Sequence, residues 1–295
     1  ANNTAVGSTS LTANTTGAGN TSVGTDSGRT ITTGNYNTSM GLDSLENTTT
    51  ASDNTAIGYY SLQANTTGGN NVGLGRNTVA TNSTGNYNTG IGNYALALNT
   101  TANYNTAVGY VSMYANTTGT QNVAMGYGSL DANTTASNNT AIGYNSMTAN
   151  TTGIDNTGLG ANTLKTNTTG DKNTAVGKNA LFSATTADNN TAVGFNSLSD
   201  NSTGTNLTAL GSGALENNTT ANNNTAVGLN ALYSNTTGDQ NTALGKDALL
   251  LCTTGTQNTG LGLLALEDLT TGSHNTAIGR EAAKNVTTGN QNTAV

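Results

Sequence analysis

The chain has 295 residues, of which only 8% are charged; eight Lys and Arg against fifteen Asp and Glu leave a net charge of −7, with no Pro, no Trp, one His and one Cys. Eight scattered cations exclude a nucleic-acid surface, which needs clustered Lys and Arg. No apolar run approaches the roughly 18 residues of a membrane helix, and no stretch reads as a signal peptide.

Asn, Thr, Gly and Ala dominate, a bias shared by disordered low-complexity chains and tightly wound repeats. Glycine separates the two. It occupies Gly7, Gly24, Gly41, Gly58 and every seventeenth position to Gly279 without a miss. Disorder has no reason to hold a register over that length, so the chain is a structural unit copied in phase. With residue 1 as slot 1 of a 17-residue unit, the sequence is seventeen units plus six residues, ending in slot 6 at Val295. Neither end reads as a capping unit, so the expectation is a segment of a longer fibre, its open ends available to template further strands.

In chain order within the unit, slots 3 to 6 (Asn-Thr-Ala-Val in the commonest form) predict a short strand. Slot 3 is Asn in seventeen of eighteen copies, lapsing only at Leu207, which predicts a partly buried side-chain amide ladder. Slot 4 is Thr except at Val72 and Val123, a β-branched exchange suited to a strand. Slot 5 is always Ala, Gly or Ser, which predicts close approach of another backbone. Slot 6 is aliphatic in every copy, from Val6 and Val23 to Ile278 and Val295, and is expected to face the core. The slot 7 glycine ends this strand at a turn that needs positive φ or has no room for a Cβ.

A second short strand is expected over slots 9 to 12. Slot 10 is small, and slot 11 is Leu or Met nearly throughout, lapsing only at Val79, Gly28 and Ala283, so it reads as the second core position. Slots 14 to 17, typically Asn-Thr-Thr-Gly, predict a third extended segment and the closing corner. Such a unit cannot fold alone, but stacked coils bury a continuous thin core. The prediction is an all-β parallel β-solenoid of about 17 coils, each advancing roughly 4.8 Å, or about 80 Å in total. Helical repeats fail, because 17 residues are too few for two helices and the Thr, Asn and Gly content opposes them.

Asn-x-Thr sequons recur in slot 14 at Asn14, Asn65, Asn82, Asn99, Asn116, Asn133, Asn150, Asn167, Asn201, Asn218 and Asn235, as candidate glycan sites. Slot 14 also holds Ile31, Ala184, Cys252, Leu269 and Val286, an alternation that favours an inward side chain. Slot 15 is then the outward candidate for O-linked sugar, as at Thr15, Thr66 and Thr117. Tyr59, Tyr110, Tyr127 and Tyr144 in slot 8, with Tyr36, Tyr87 and Tyr104 in slot 2, sit in variable and therefore outward slots; they can stack on sugars, meet a neighbouring chain, or simply stiffen the surface. Cys252 reads as a buried structural thiol, His274 as a surface residue outside any ligand cluster, and Gly73-Leu74-Gly75 as a repeat corner. Carboxylates such as Glu46, Asp131, Glu216 and Glu267 form no recurring pair. No catalytic, metal or cofactor-binding residue is expected.

Asn224 to Leu232 and Asn173 to Leu181, both Asn-Thr-Ala-Val-Gly-x-Asn-Ala-Leu, resemble the Ala-Ile-Gly-x-x-Ala motif of YadA-type trimeric autotransporter adhesin heads. The array is also similar to those of phage-tail-fibre-like and endosialidase-chaperone-bearing surface proteins. The resemblance covers the whole chain, although the unit is longer than the usual head repeat and no stalk, anchor or chaperone lies in this stretch. It implies a left-handed roll in which three chains pack side by side outside a bacterium, with a role in adhesion or reach. The expected function is a non-enzymatic extracellular or cell-surface fibre or adhesin shaft whose partner is itself, side by side or end to end. The alternatives are a glycan-decorated or carbohydrate-binding fibre meeting surface glycans, and an ice-binding solenoid, which would need two outward Thr ranks on one face.

Overall fold

The computed structural model describes residues 2–295, and among them no helix is found. Every unit contributes one three-residue strand over slots 4 to 6, apart from the two-residue strand β18. The chain divides into two compact units, one comprising residues up to 145 with 149–152, the other 146–148 with 153–295. The first holds β1 (Thr4–Val6), β2 (Thr21–Val23) and their successors to β9 (Thr140–Ile142). The second holds β10 (Thr157–Leu159) to β18 (Thr293–Ala294). Within each unit consecutive strands pair in parallel at an offset of one repeat, as in Thr4↔Thr21, Ala5↔Ser22 and Val6↔Val23. Each unit is therefore a parallel β-solenoid of 17 residues per coil.

The side-chain directions of that strand overturn one expectation. In a three-residue strand successive side chains alternate, so either slot 5 or slots 4 and 6 face inward. Slot 5 does: Ala56, Ala107, Ala141, Ala192 and Ala226 are fully buried. Slot 6 faces out, with Met40, Leu74, Met125, Leu210 and Leu244 between 43% and 49% exposed. The physical reason is the thinness of the coil. Slot 5 lies against slots 10 and 11, where a Cβ built on Gly73 would come 2.4 Å from Ser61 Oγ and 3.4 Å from Leu62 Cγ. Smallness at slot 5 thus answers to side chains of the core and, as expected, to a close backbone, since a Cβ on Gly260 or Gly90 would lie 3.2 Å from the slot 10 carbonyl oxygen of Ala265 or Ala95.

The second expected strand is also absent. Slots 8 to 13 run as consecutive turns, with slots 9 and 11 in the left-handed region, as at Asn145 (φ 51°) and Met147 (φ 51°). A non-glycine residue there costs roughly 1–2 kcal/mol. The cost is sustained because the segment still bonds coil to coil, Leu62 N–H to Thr78 O at 3.0 Å and Ala64 N–H to Ala80 O at 2.9 Å. Slots 14 to 17 form bends, so the coil has one strand, and not three.

The core is otherwise as expected. Slot 11 is fully buried at Leu45, Leu62, Leu96, Met113 and Leu181. Where slot 11 shrinks to Gly28 or Ala283, slot 14 of the same unit carries Ile31 or Val286. A Cβ on Gly28 would lie 3.0 Å from Ile31 Cδ1, so the larger residue has taken up the space.

Slot 3 builds the expected ladder. Each Nδ2 donates to the slot 17 carbonyl of its own 17-residue repeat, as Asn71 to Gly85 at 2.8 Å, and each Oδ1 accepts from the next slot 3 N–H, as from Asn88 N–H at 2.9 Å. At Leu207 the ladder lapses: its own N–H still donates to Asn190 Oδ1 at 2.9 Å, but the chain offers no side-chain acceptor to the N–H of fully buried Asn224. Restoring the amide with Leu207→Asn should raise stability by about 1 kcal/mol, the usual net worth of one hydrogen bond. A higher denaturation midpoint and slower hydrogen exchange at the Asn224 amide would register it.

Candidate functional site

The slot 14 asparagines lie inside. Those at Asn65, Asn82, Asn99, Asn116, Asn133, Asn150, Asn167, Asn201, Asn218 and Asn235 are fully buried, and Asn14 is half-buried. They form a second amide ladder, Asn82 Nδ2 donating to Asn65 Oδ1 and Asn99 Nδ2 to Asn82 Oδ1, both at 2.8 Å, while each Nδ2 also closes its own corner, as Asn65 to Gly68 O at 2.8 Å. The ladder stops where the next slot 14 residue cannot donate: Asn14 Oδ1, followed by Ile31, and Asn235 Oδ1, followed by Cys252, are buried without a partner.

Slot 15 is half-buried in most coils and its hydroxyl is used. Thr66 Oγ1 donates to Ser83 O at 2.9 Å and Thr117 Oγ1 to Thr134 O at 3.0 Å; Thr15 Oγ1 does the same to Thr32 O at 3.0 Å although it is exposed. The outward rank is slot 16 instead. It is Thr in all seventeen units, from Thr16 and Thr33 to Thr271 and Thr288, and exposed in each. The chain presents one outward Thr rank at this corner, where an ice-binding face was expected to need two.

Cys252 is fully buried, with its thiol 3.7 Å from Gly255 O. Burial pushes it up to about 11, the Gly255 carbonyl contact pulling slightly the other way. Because the folded thiol holds its proton more tightly than the unfolded one, its contribution to stability is complete below pH 9 and is lost as pH rises towards 11. The span corresponds to about 2–3 kcal/mol. Native protein should resist thiol reagents at neutral pH and react on denaturation, and Cys252→Ala should flatten the loss of stability between pH 9 and 11.

The charged side chains disperse into local pairs. Arg29 meets Glu46, which also accepts from Gln63 Nε2 at 2.9 Å, and Lys284 Nζ lies 2.9 Å from Glu267. Desolvation raises Asp131 and Glu216 above the ordinary carboxylate range, and desolvation with the nearby Glu46 and Asp26 raises Asp43. Among the described residues no three His, Cys, Asp or Glu side chains gather as metal ligands, and no helix is long and apolar enough to cross a membrane. His274 is exposed.

The tyrosines assemble on the surface. In slot 8, Tyr110, Tyr127 and Tyr144 stack with ring centroids 5.7 and 5.4 Å apart, and in slot 2 Tyr87 stacks on Tyr104 at 5.2 Å. Tyr59 stacks on Tyr60 at 3.9 Å, and the Arg76 guanidinium lies 5.7 Å from the Tyr59 ring and 5.8 Å from the Tyr94 ring. Tyr94, Tyr110, Val111 and Tyr114 line an open depression beside this array. Slot 8 follows the outward slot 6 rank across the glycine, so exposed aliphatic and aromatic side chains stand two residues apart, as Met125 and Tyr127 do. Sequence reasoning missed that rank by equating aliphatic with inward; the signal was available in slot 5, whose uniform smallness marks the buried side of a three-residue strand.

No family model matches the chain, and no curated protein matches it.

Proposed function

We propose that the chain is a shaft segment of an extracellular surface fibre, non-enzymatic, acting through repetition and stiffness. The observation that supports this best is the equivalence of the coils: the same backbone bonds, the same slot 3 amide ladder but for Leu207, and the same slot 7 turn recur from coil to coil within each unit. Titratable groups fall in slots that differ between coils, so the chemistry of any one rung is not built up by its neighbours. A regular stack propagates load along its axis and suits a spacer. The resemblance of the repeat to adhesin heads and tail fibres supports a location outside the cell. Immunogold labelling of the native cells or particles tests the reading: label on projecting surface fibres supports it, and label confined to the cell interior overturns it.

A second reading, a glycan-decorated shaft, is favoured by one observation. The slot 16 hydroxyls are exposed in every unit and none makes a hydrogen bond among the described residues. Intact mass of natively produced chain above the 29.4 kDa polypeptide, with the added mass mapped to slot 16, would carry it. A bare polypeptide mass would end it.

A further inference from the structure

We infer that the outward face formed by slots 6 and 8 is a lateral interface that associates with a second copy of this chain. This rests on the shaft reading for its purpose and gives that shaft its partner.

The first argument comes from comparing slots that face the same solvent. Slot 2 is outward and takes Tyr, Asp, Lys, Gln, His, Asn and Gly, the freedom of a surface side chain on which no packing requirement acts. Slot 4 is outward on the same strand and takes Thr almost throughout, so the strand geometry is satisfied by a polar β-branched residue. Slot 6 is outward too, yet in eighteen copies it is only Val, Ile, Leu or Met. A requirement for apolar surface that packing inside the chain does not impose must be imposed from outside it.

The second argument is area. Fully burying such a side chain removes about 60–120 Å² from water, so nine rungs, four or five of them exposed and the others half-buried in each unit, offer roughly 200–400 Å² per unit before slot 8 is counted. That approaches the largest apolar patch of a typical monomer, and slot 8 adds Leu42, Tyr110, Tyr127 and Tyr144 in the first unit.

The third argument identifies the occupant. The rank repeats once per coil at strand spacing over nine rungs in each unit, and a partner of ordinary globular shape meets only a few of them. A copy of the same solenoid presents the same spacing and meets them all. Charge does not oppose this, because slot 6 carries none. Slot 8 of the first unit carries only Arg76, already held between the Tyr59 and Tyr94 rings, and slot 8 of the second carries Lys178, Lys246 and Arg280, the last two paired with Asp247 and Glu281, so the first unit offers the less charged face. The tyrosine stack fits a protein partner better than a sugar. Ring faces in Tyr110, Tyr127 and Tyr144 are turned towards one another, leaving edges and hydroxyls outward, whereas a sugar needs an open face.

Sedimentation velocity of the purified chain over a concentration series tests the interface, together with the triple variant Ile57→Lys, Ile91→Lys, Met125→Lys and the slot 2 control Asp53→Lys, Tyr87→Lys, Gln121→Lys. The expected result is a dimer or larger assembly for the wild type and the control, and association at least tenfold weaker for the slot 6 variant, with all three giving the same β circular dichroism. If the slot 6 variant does not fold, single substitutions Ile57→Lys and Ile91→Lys replace it, each expected to weaken association severalfold. A wild-type monomer at every concentration, or a folded slot 6 variant that associates like the wild type, overturns the interface. Neither of those outcomes touches the shaft reading, which the immunogold experiment decides separately.

Discussion

Replacing Asn105 by leucine is expected to destabilise its unit by about 1–3 kcal/mol, because one side chain serves three partners in two directions and one of them has no other. Its Nδ2 donates to Gly119 O at 2.8 Å, and its Oδ1 accepts from Asn122 N–H at 3.0 Å and Asn122 Nδ2 at 3.2 Å. All of these groups lie in the buried slot 3 and slot 17 column, where water does not replace a lost partner. Leucine fits the volume, as Leu207 shows, so the loss comes from an orphaned polar group and little from a cavity. The Asn122 backbone amide is the group left stranded, at about 1–3 kcal/mol, whereas the Gly119 carbonyl still accepts from Asn116 Nδ2 at 3.0 Å and Asn122 Nδ2 still donates to Ala136 O at 2.9 Å.

A solenoid is held by nearest-neighbour coils, and a single lesion opens the stack locally. The measurement is therefore hydrogen exchange resolved by residue, with the Asn122 amide and its flanking rungs losing protection first and distant rungs last. A uniform loss over the whole chain would mean that the coils unfold as one body, and an unchanged Asn122 amide would mean that the ladder contributes nothing.

The sequence showed the period, the strand, the core at slot 11 and the slot 3 asparagine rank, because each rests on a constraint that holds in nearly every coil; the slot 14 rank was legible as inward for a different reason, its exchange with Ile31, Ala184, Cys252, Leu269 and Val286. The direction of slot 6 was not legible in the same way. Val, Ile and Leu satisfy a buried strand and an exposed interface equally well, and only the thin cross-section seen in the fold decides between them. The left-handed residues at slots 9 and 11 were hidden for a different reason. Leu62 at φ 51° and Val111 at φ 48° contradict local preference and are held there by bonds from the neighbouring coils, which no single unit displays. The outward Thr rank at slot 16 was visible only as identity: slots 15 and 16 look alike in the sequence, and the hydroxyl bond from slot 15 to the next coil separates them.

The largest single-residue effect is expected at the slot 7 glycine. Gly109 has φ 131°, a region closed to side chains, and a Cβ there would sit 2.5 Å from the carbonyl oxygen of Gly126 and 2.8 Å from its carbon. Gly109→Ala must therefore change the dihedral and push neighbouring coils apart. Separation breaks the parallel bonds on both sides of the turn, beginning with Gly109 N–H to Ile91 O and Gly126 N–H to Val108 O, both 2.8 Å. The dihedral alone costs about 1–3 kcal/mol, and with the steric clash the loss should exceed about 4 kcal/mol, enough to split the first unit at that rung. Gly279 separates the two contributions. Its φ is 126°, yet a Cβ there would meet nothing closer than Ala282 Cβ at 4.0 Å, so Gly279→Ala carries the dihedral cost without the clash. Denaturation of the two variants should differ by several kcal/mol in that order, and limited proteolysis should cut Gly109→Ala near the turn while sparing Gly279→Ala at the same dose. Equal losses would show that the glycine is required for its dihedral alone, and that the spacing between coils can yield to a methyl group.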